Sequence, residues 1–238
     1  MKSKASDYKN LSILHLLSVG TVGETYTPIN SAGALALLGA AASVRIKAGG
    51  NAEDDATEGD GARFVLVRGL DADYNPIEES LFPAGEDASA ASSQTFLRVN
   101  EVLVTQVGTA GGSNADDIEI ETTGDDSLAV ILAGEGRATL GHYTIPAGKR
   151  GLLWYAQVSN SEGDAILARL MATGNLGDVP VFAPAHILYQ SIQDRQVWDL
   201  RSPVVIDEMT DLSWEGLIDS GTGQVVVDWE LELIEKIV

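Results

Sequence analysis

The stretch Val225-Val226-Val227-Asp228-Trp229-Glu230-Leu231-Glu232-Leu233 decides the class of fold. Positions 225, 227, 229, 231 and 233 are all apolar, while Asp228, Glu230 and Glu232 stand between them. A strand sends these two sets to opposite faces, one to a core and one to solvent. A helix would scatter the acids around its circumference.

Weaker versions of the pattern recur upstream. Ser43 to Lys47, Phe64 to Val67, Ile77 to Phe82, Thr95 to Val107 and Ile118 to Glu121 carry strand patterns. So do Leu128 to Leu132, Tyr143 to Ile145, Leu152 to Val158 and Ile166 to Met171. Turn signals separate them, among them Gly108 to Asn114 and Pro146-Ala147-Gly148-Lys149. Proline presets one backbone angle of a turn and glycine frees another. The spacing suits roughly ten to twelve strands in a sandwich or barrel. The expected fold is therefore all-β, an antiparallel β-sandwich of jelly-roll type with few short helices. The best helical stretches are residues 7–18 and Pro184 to Ile192. Residues 1–42 are expected to form an N-terminal arm and contact segment, and residues 43–238 the β-sandwich domain.

Composition narrows the partners. The 238 residues carry a net charge of −20, from 35 acidic against 15 basic side chains. Such a surface repels phosphate backbones and anionic membranes, so neither nucleic acid nor membrane is an expected partner. No segment approaches the roughly 18–20 apolar residues of a membrane span, and the chain reads as soluble without a cleavable address. The absence of cysteine excludes disulfides, thiolate metal sites and a Cys nucleophile.

Sites of chemistry are hard to find. In Arg68 to Glu79, Asp71, Asp73 and Asn75 alternate as the first ligands of a calcium loop do. An EF-hand then needs glycine at its sixth position and glutamate at its twelfth, where this chain has Pro76 and Phe82. An irregular calcium corner and a plain hairpin connection both remain open, the hairpin favoured. Its Asp and Asn side chains would bond nearby backbone N–H groups. The loop from Ala48 to Gly61 carries Glu53, Asp54, Asp55, Glu58 and Asp60, and suits a solvated acidic loop.

His15, His142 and His186 show no metal-ligand spacing, and neither a P-loop nor a G-x-S-x-G elbow occurs. Gly134-Glu135-Gly136 lacks the third glycine of a dinucleotide fingerprint. No catalytic residue, metal ligand or cofactor is expected. Of the four tryptophans, Trp229 falls on the apolar face of its strand and Trp214 shares the parity of Leu212, which suits core or subunit contact.

Several phrases carry a family likeness. Gly61-Ala62-Arg63, Val67 to Asp71 and Asn75 to Glu79 resemble a segment of virion structural proteins of marine tailed bacteriophages. Phe96 to Asn100 and Tyr143 to Lys149 are similar to later segments of the same proteins, so the likeness spans about residues 43–158. The resemblance implies a capsid decoration or cement protein on the virion exterior. Its implied partners are the major capsid protein and further copies of itself, a trimer by expectation. A tail, baseplate or receptor-binding virion protein is the alternative, and a carbohydrate-binding module is another. The segments expected to contact neighbours are the basic start, with Lys2, Lys4 and Lys9, and the apolar run with Leu35, Leu37 and Leu38. Both lie outside the clearest strands.

Overall fold

The computed structural model describes residues 12–34, 37–108, 113–160, 165–176, 179–192 and 195–235. The described residues form sixteen strands. They are β1 (Ser12–Val22), β2 (Thr27–Pro28), β3 (Ala42–Ile46), β4 (Ala62–Leu70), β5 (Pro76–Leu81), β6 (Thr95–Phe96), β7 (Arg98–Val107) and β8 (Ile118–Thr122). Then follow β9 (Ser127–Ile131), β10 (His142–Thr144), β11 (Lys149–Asn160), β12 (Ile166–Leu176), β13 (Val179–Ile192), β14 (Arg195–Ile206), β15 (Asp211–Ile218) and β16 (Gly223–Glu235). All pairings are antiparallel, and no helix occurs among the described residues.

Both helical expectations are therefore corrected. Of residues 7–18, those from Ser12 onward belong to β1, and Pro184 to Ile192 lie within β13. The reason in β1 is plain. Ile13, Leu14, Leu16 and Leu17 suit a helical face as well as a strand that is apolar on both sides. Pairing along β16, from Ser12↔Leu233 to Val22↔Gly223, selects the strand.

The chain divides into two compact units. Unit 1 comprises Met1–Ile29 and Gly141–Val238, and unit 2 is Asn30–Leu140. The expected division into an arm of residues 1–42 and a domain of 43–238 follows chain order, whereas unit 1 is discontinuous in sequence. Part of the expected arm, Ser12–Val22, is a full strand of its sheet.

Unit 1 contains two sheets, ordered β1-β16-β11-β14 and β10-β15-β12-β13, with β2 also paired to β15. One apolar cluster takes side chains from both. Leu153, Ala156, Val158, Val227, Trp229 and Leu231 come from the first sheet, and Ile166, Leu170, Leu212 and Trp214 from the second. Trp214 and Trp229 are fully buried and meet edge to face at 6.4 Å. In β11 an irregularity between Leu153 and Tyr155 restores the phase of alternation. It lets both Leu153 and Ala156 face the core while Trp154 and Tyr155 stay half-buried on the other side.

The residues where unit 1 leaves and resumes lie side by side. Ile29 N–H donates to the Trp214 carbonyl at 2.9 Å, and Trp214 N–H donates to the Gly141 carbonyl at 2.7 Å. A Cβ at position 141 would stand 2.2 Å from the Ile29 oxygen, so only glycine fits there.

Unit 2 also has two sheets, ordered β6-β3-β8-β9 and β5-β4-β7. Its own cluster includes Val44, Ile46, Val65, Val67, Phe96, Val102, Ile120 and Ile131. The quoted calcium-like stretch is the connection of the β4–β5 hairpin, whose register closes at Leu70↔Pro76.

Candidate functional site

Acidic side chains are the obvious candidates for chemistry in this chain, and the structure employs the key ones on backbone amides. Asp54, in the loop before β4, is only 3% exposed. One carboxylate oxygen accepts the N–H of Ala62 at 2.7 Å and of Ala115 at 2.8 Å. The other accepts Ala115 at 3.0 Å and Asp116 at 3.0 Å. A buried carboxylate is tolerated only when its lone pairs are filled in this way. Asp54 thereby ties the acidic loop to the loop preceding β8.

Three further carboxylates repeat the device nearer the surface. Asp71 accepts the N–H groups of Asp73 at 2.9 Å and Asn75 at 2.8 Å, and also takes the Asn75 side-chain amide. Those bonds, the Asn75 N–H foremost, hold its carboxyl below the usual aspartate range. This is the hairpin reading of the stretch, with the oxygens turned to the chain itself. Asp55 accepts the Thr57 hydroxyl at 2.6 Å and the N–H groups of Thr57 and Glu58, and is lowered by them, the hydroxyl most. Glu79 accepts the N–H groups of Ser93 at 2.8 Å and Gln94 at 2.9 Å. Partial burial raises the Glu79 carboxyl, and these bonds together overcome it and leave the group lowered.

The remaining buried acids have cationic partners. Glu121 meets Arg45 at 2.8 Å and Asp207 meets Arg150 at 2.8 Å. A shallow open cleft of about 410 Å³ on unit 2 is lined by Ala52, Asp55, Thr57, Glu58, Ala84, Gly85 and Glu86. Its innermost acid, Asp55, is already bonded to Thr57 and Glu58. Among the described residues no group of three His, Asp or Glu is placed to hold a metal ion. What this arrangement does chemically is fix loops.

The expected contact residues are distributed unevenly. Lys2, Lys4, Lys9 and Leu35 lie outside the described residues. Leu37 is exposed. Leu38 packs partly against the unit 2 cluster, and its carbonyl accepts Arg98 at 2.8 Å.

Sequence reasoning missed the outer face of the β1-β16-β11-β14 sheet. Ile13 and Leu17 stand there at 52% and 53% exposure, with Val197 and Val205 of β14 on the same face. Trp154 lies there as well, its indole N–H donating to Glu232 at 2.6 Å. The signal was available in the apolar residues at both parities of β1, once that segment is taken as a strand. No protein-family model, curated protein or solved structure matches this chain.

Proposed function

We propose that the chain is a structural protein of a tailed-phage virion and does no chemistry. In this reading it is a capsid decoration or cement protein, bridging capsomers of the major capsid protein from outside as a homo-oligomer, a trimer.

The observation that carries the reading is the strand order of unit 1. Along the chain its eight main strands are β1 and β10 to β16. The first pairs with the eighth, the second with the seventh, the third with the sixth and the fourth with the fifth. Nested pairing of this kind is what the double Greek key of a jelly roll, closed as a sandwich over one core, would give. The cluster drawn from both sheets supports that finer description.

Jelly rolls serve viral shells, lectins and cupins alike, so the fold alone does not choose among them. Two features favour a shell role. Asp54, Asp71 and Glu79 are held by backbone amides. The phrases that resemble those of phage virion proteins run through both units, from Gly61 to Lys149.

The test is binding to capsids. Purified protein added to undecorated heads should occupy every equivalent capsomer contact in a cryo-EM reconstruction, and the heads should resist heat better. Density confined to the tail would replace this reading with the tail one. A second reading has one observation behind it. Trp154 and Tyr155 stand half-buried on the outer face, Trp154 bonded to Glu232 and Tyr155 opposite Glu230, an aromatic pair beside acids of the kind a sugar platform uses. A glycan array with and without calcium decides that point.

A further inference from the structure

The outer face of the β1-β16-β11-β14 sheet differs from the polar surface that a solvated sheet face carries. Register defines three rows across it. Leu17, Asp228, Gln157 and Val197 form one row, and His15, Glu230, Tyr155 and Asp199 the next. Ile13, Glu232, Leu152 and Val205 form the third. Three carboxylates therefore run up the second strand, with apolar side chains along both margins. Ile13, Leu17, Val197 and Val205 are four of the eight exposed large apolar side chains among the described residues.

The carboxylates are poorly neutralised. Glu232 takes the Trp154 N–H. Among the described residues the ionic partner of Glu230 is His15, at 3.7 Å and largely exposed. Of the basic residues on the sheet, Arg150 pairs with Asp207 and Lys149 with Glu235, while Arg195 reaches Gln157 on this face and leaves the three carboxylates without an ion pair to it.

One segment of this chain has the complementary chemistry. Residues 1–11 lead directly into β1 and carry Lys2, Lys4 and Lys9 against a single acid, Asp7, in an otherwise strongly acidic protein. In an extended chain Lys2 and Lys4 project on one side, with the same two-residue spacing as Asp228, Glu230 and Glu232. Tyr8 falls on the same side as Lys2 and Lys4 and adds an apolar contact. Eleven extended residues reach about 36 Å, against about 14 Å for the width of four strands.

The homo-oligomer of the proposed function favours another copy's face over the chain's own, and β1 begins at Ser12, paired with Leu233 near the end of β16.

We propose that residues 1–11 of a neighbouring copy lie along this face, with their lysines over Asp228, Glu230 and Glu232. Each copy then clasps the next, a head-to-tail contact that closes into a ring. The inference rests on the homo-oligomer part of the proposed function and not on attachment to a capsid.

Sedimentation velocity of the isolated full chain tests it. The full chain should be oligomeric, and a variant lacking residues 1–11 monomeric with an unchanged circular dichroism spectrum. A synthetic peptide of residues 1–11 should bind the shortened variant and change its Trp fluorescence through Trp154. Asp228→Lys with Glu230→Lys should weaken that binding at least about tenfold, as reversed charge pairs do. Reversing Lys2 and Lys4 to Glu in the same protein should restore assembly. An unchanged oligomer in the shortened variant, or in the Asp228→Lys, Glu230→Lys protein, overturns the proposal. So does a full chain that stays monomeric while the peptide still binds, since the segment then folds back on its own sheet. An oligomer that assembles as described yet ignores capsids leaves this inference standing and removes the cement reading.

Discussion

The Asp54 carboxylate accepts the backbone N–H of Ala115 with both of its oxygens, at 2.8 and 3.0 Å, across 61 positions of sequence. The same group takes Ala62 and Asp116. A loop that composition marks as solvated acid is thus pinned by one of its acids. Replacing Asp54 with Ala strands these amides, two of them flanking the entry to β8. We expect a loss of about 3–5 kcal/mol from unit 2, since bonds to a charged acceptor and the desolvation of orphaned donors both count. Asp54→Asn keeps one acceptor oxygen and should lose about half of that. All four tryptophans lie in unit 1, so urea unfolding by far-UV circular dichroism should move while the Trp fluorescence transition stays in place.

Acid should loosen the molecule through named groups. Asp55, Asp71 and Glu79 are all held below their ordinary values of 3.8 for Asp and 4.5 for Glu. A carboxyl depressed on folding contributes stability that is fully present above its ordinary value. That stability is lost as pH falls through the folded value. Melting temperature should hold above about pH 5 and drop steadily below pH 4. Glu79→Gln should flatten part of that slope. Lys47 has the opposite sign, raised chiefly by its bond to Glu119, so its contribution disappears only as pH climbs past 10.5. A melting temperature indifferent to pH between 2 and 5 would contradict the carboxylate account.

Gly69 sits at an irregularity where β4 crosses β7. A Cβ there would fall 2.0 Å from the Arg98 carbonyl oxygen and 2.9 Å from the Phe96 ring. Neither the backbone nor the buried ring can withdraw. Gly69→Ala should destabilise unit 2 by at least about 2 kcal/mol, as overpacking does. Gly39→Ala meets nothing within 4 Å and should stay within about 0.5 kcal/mol of the parent.

The strands were legible where burial is one-sided. β16 alternates cleanly, with Trp229 and Leu231 inward and Glu230 and Glu232 outward, and periodicity alone finds it. β1 was hidden because its outward positions hold Ile13 and Leu17, which erases the period-two signal. The discontinuity of unit 1 was hidden for a different reason. Nothing in the composition near Ile29 or Gly141 marks a boundary, and the bonds that join them to Trp214 link residues remote in sequence. Two amide partners of Asp54, Ala115 and Asp116, are also remote in sequence, so a local reading sees only a charged loop.

That discontinuity can be cut. The unit 1 cluster, from Val22 and Ile29 to Leu233, and the unit 2 cluster, from Val44 to Leu140, share no residue. Ile29 and Gly141 are already bridged through the backbone of Trp214, so joining them demands no long loop. Within unit 2 the ends are also close, since Ser31 N–H donates to the Thr139 carbonyl at 3.0 Å. Insertion between adjacent strand ends is what a domain tolerates when its termini lie together. A chain with residues 30–140 replaced by a short Gly-Ser linker should therefore fold, keeping the blue-shifted emission of buried Trp214 and Trp229. Residues 30–140 alone should give a dispersed amide NMR spectrum and a cooperative melt. If the shortened host shows red-shifted, exposed tryptophan while the isolated insert folds, the host core depends on the insert, and two independent cores would be the wrong description.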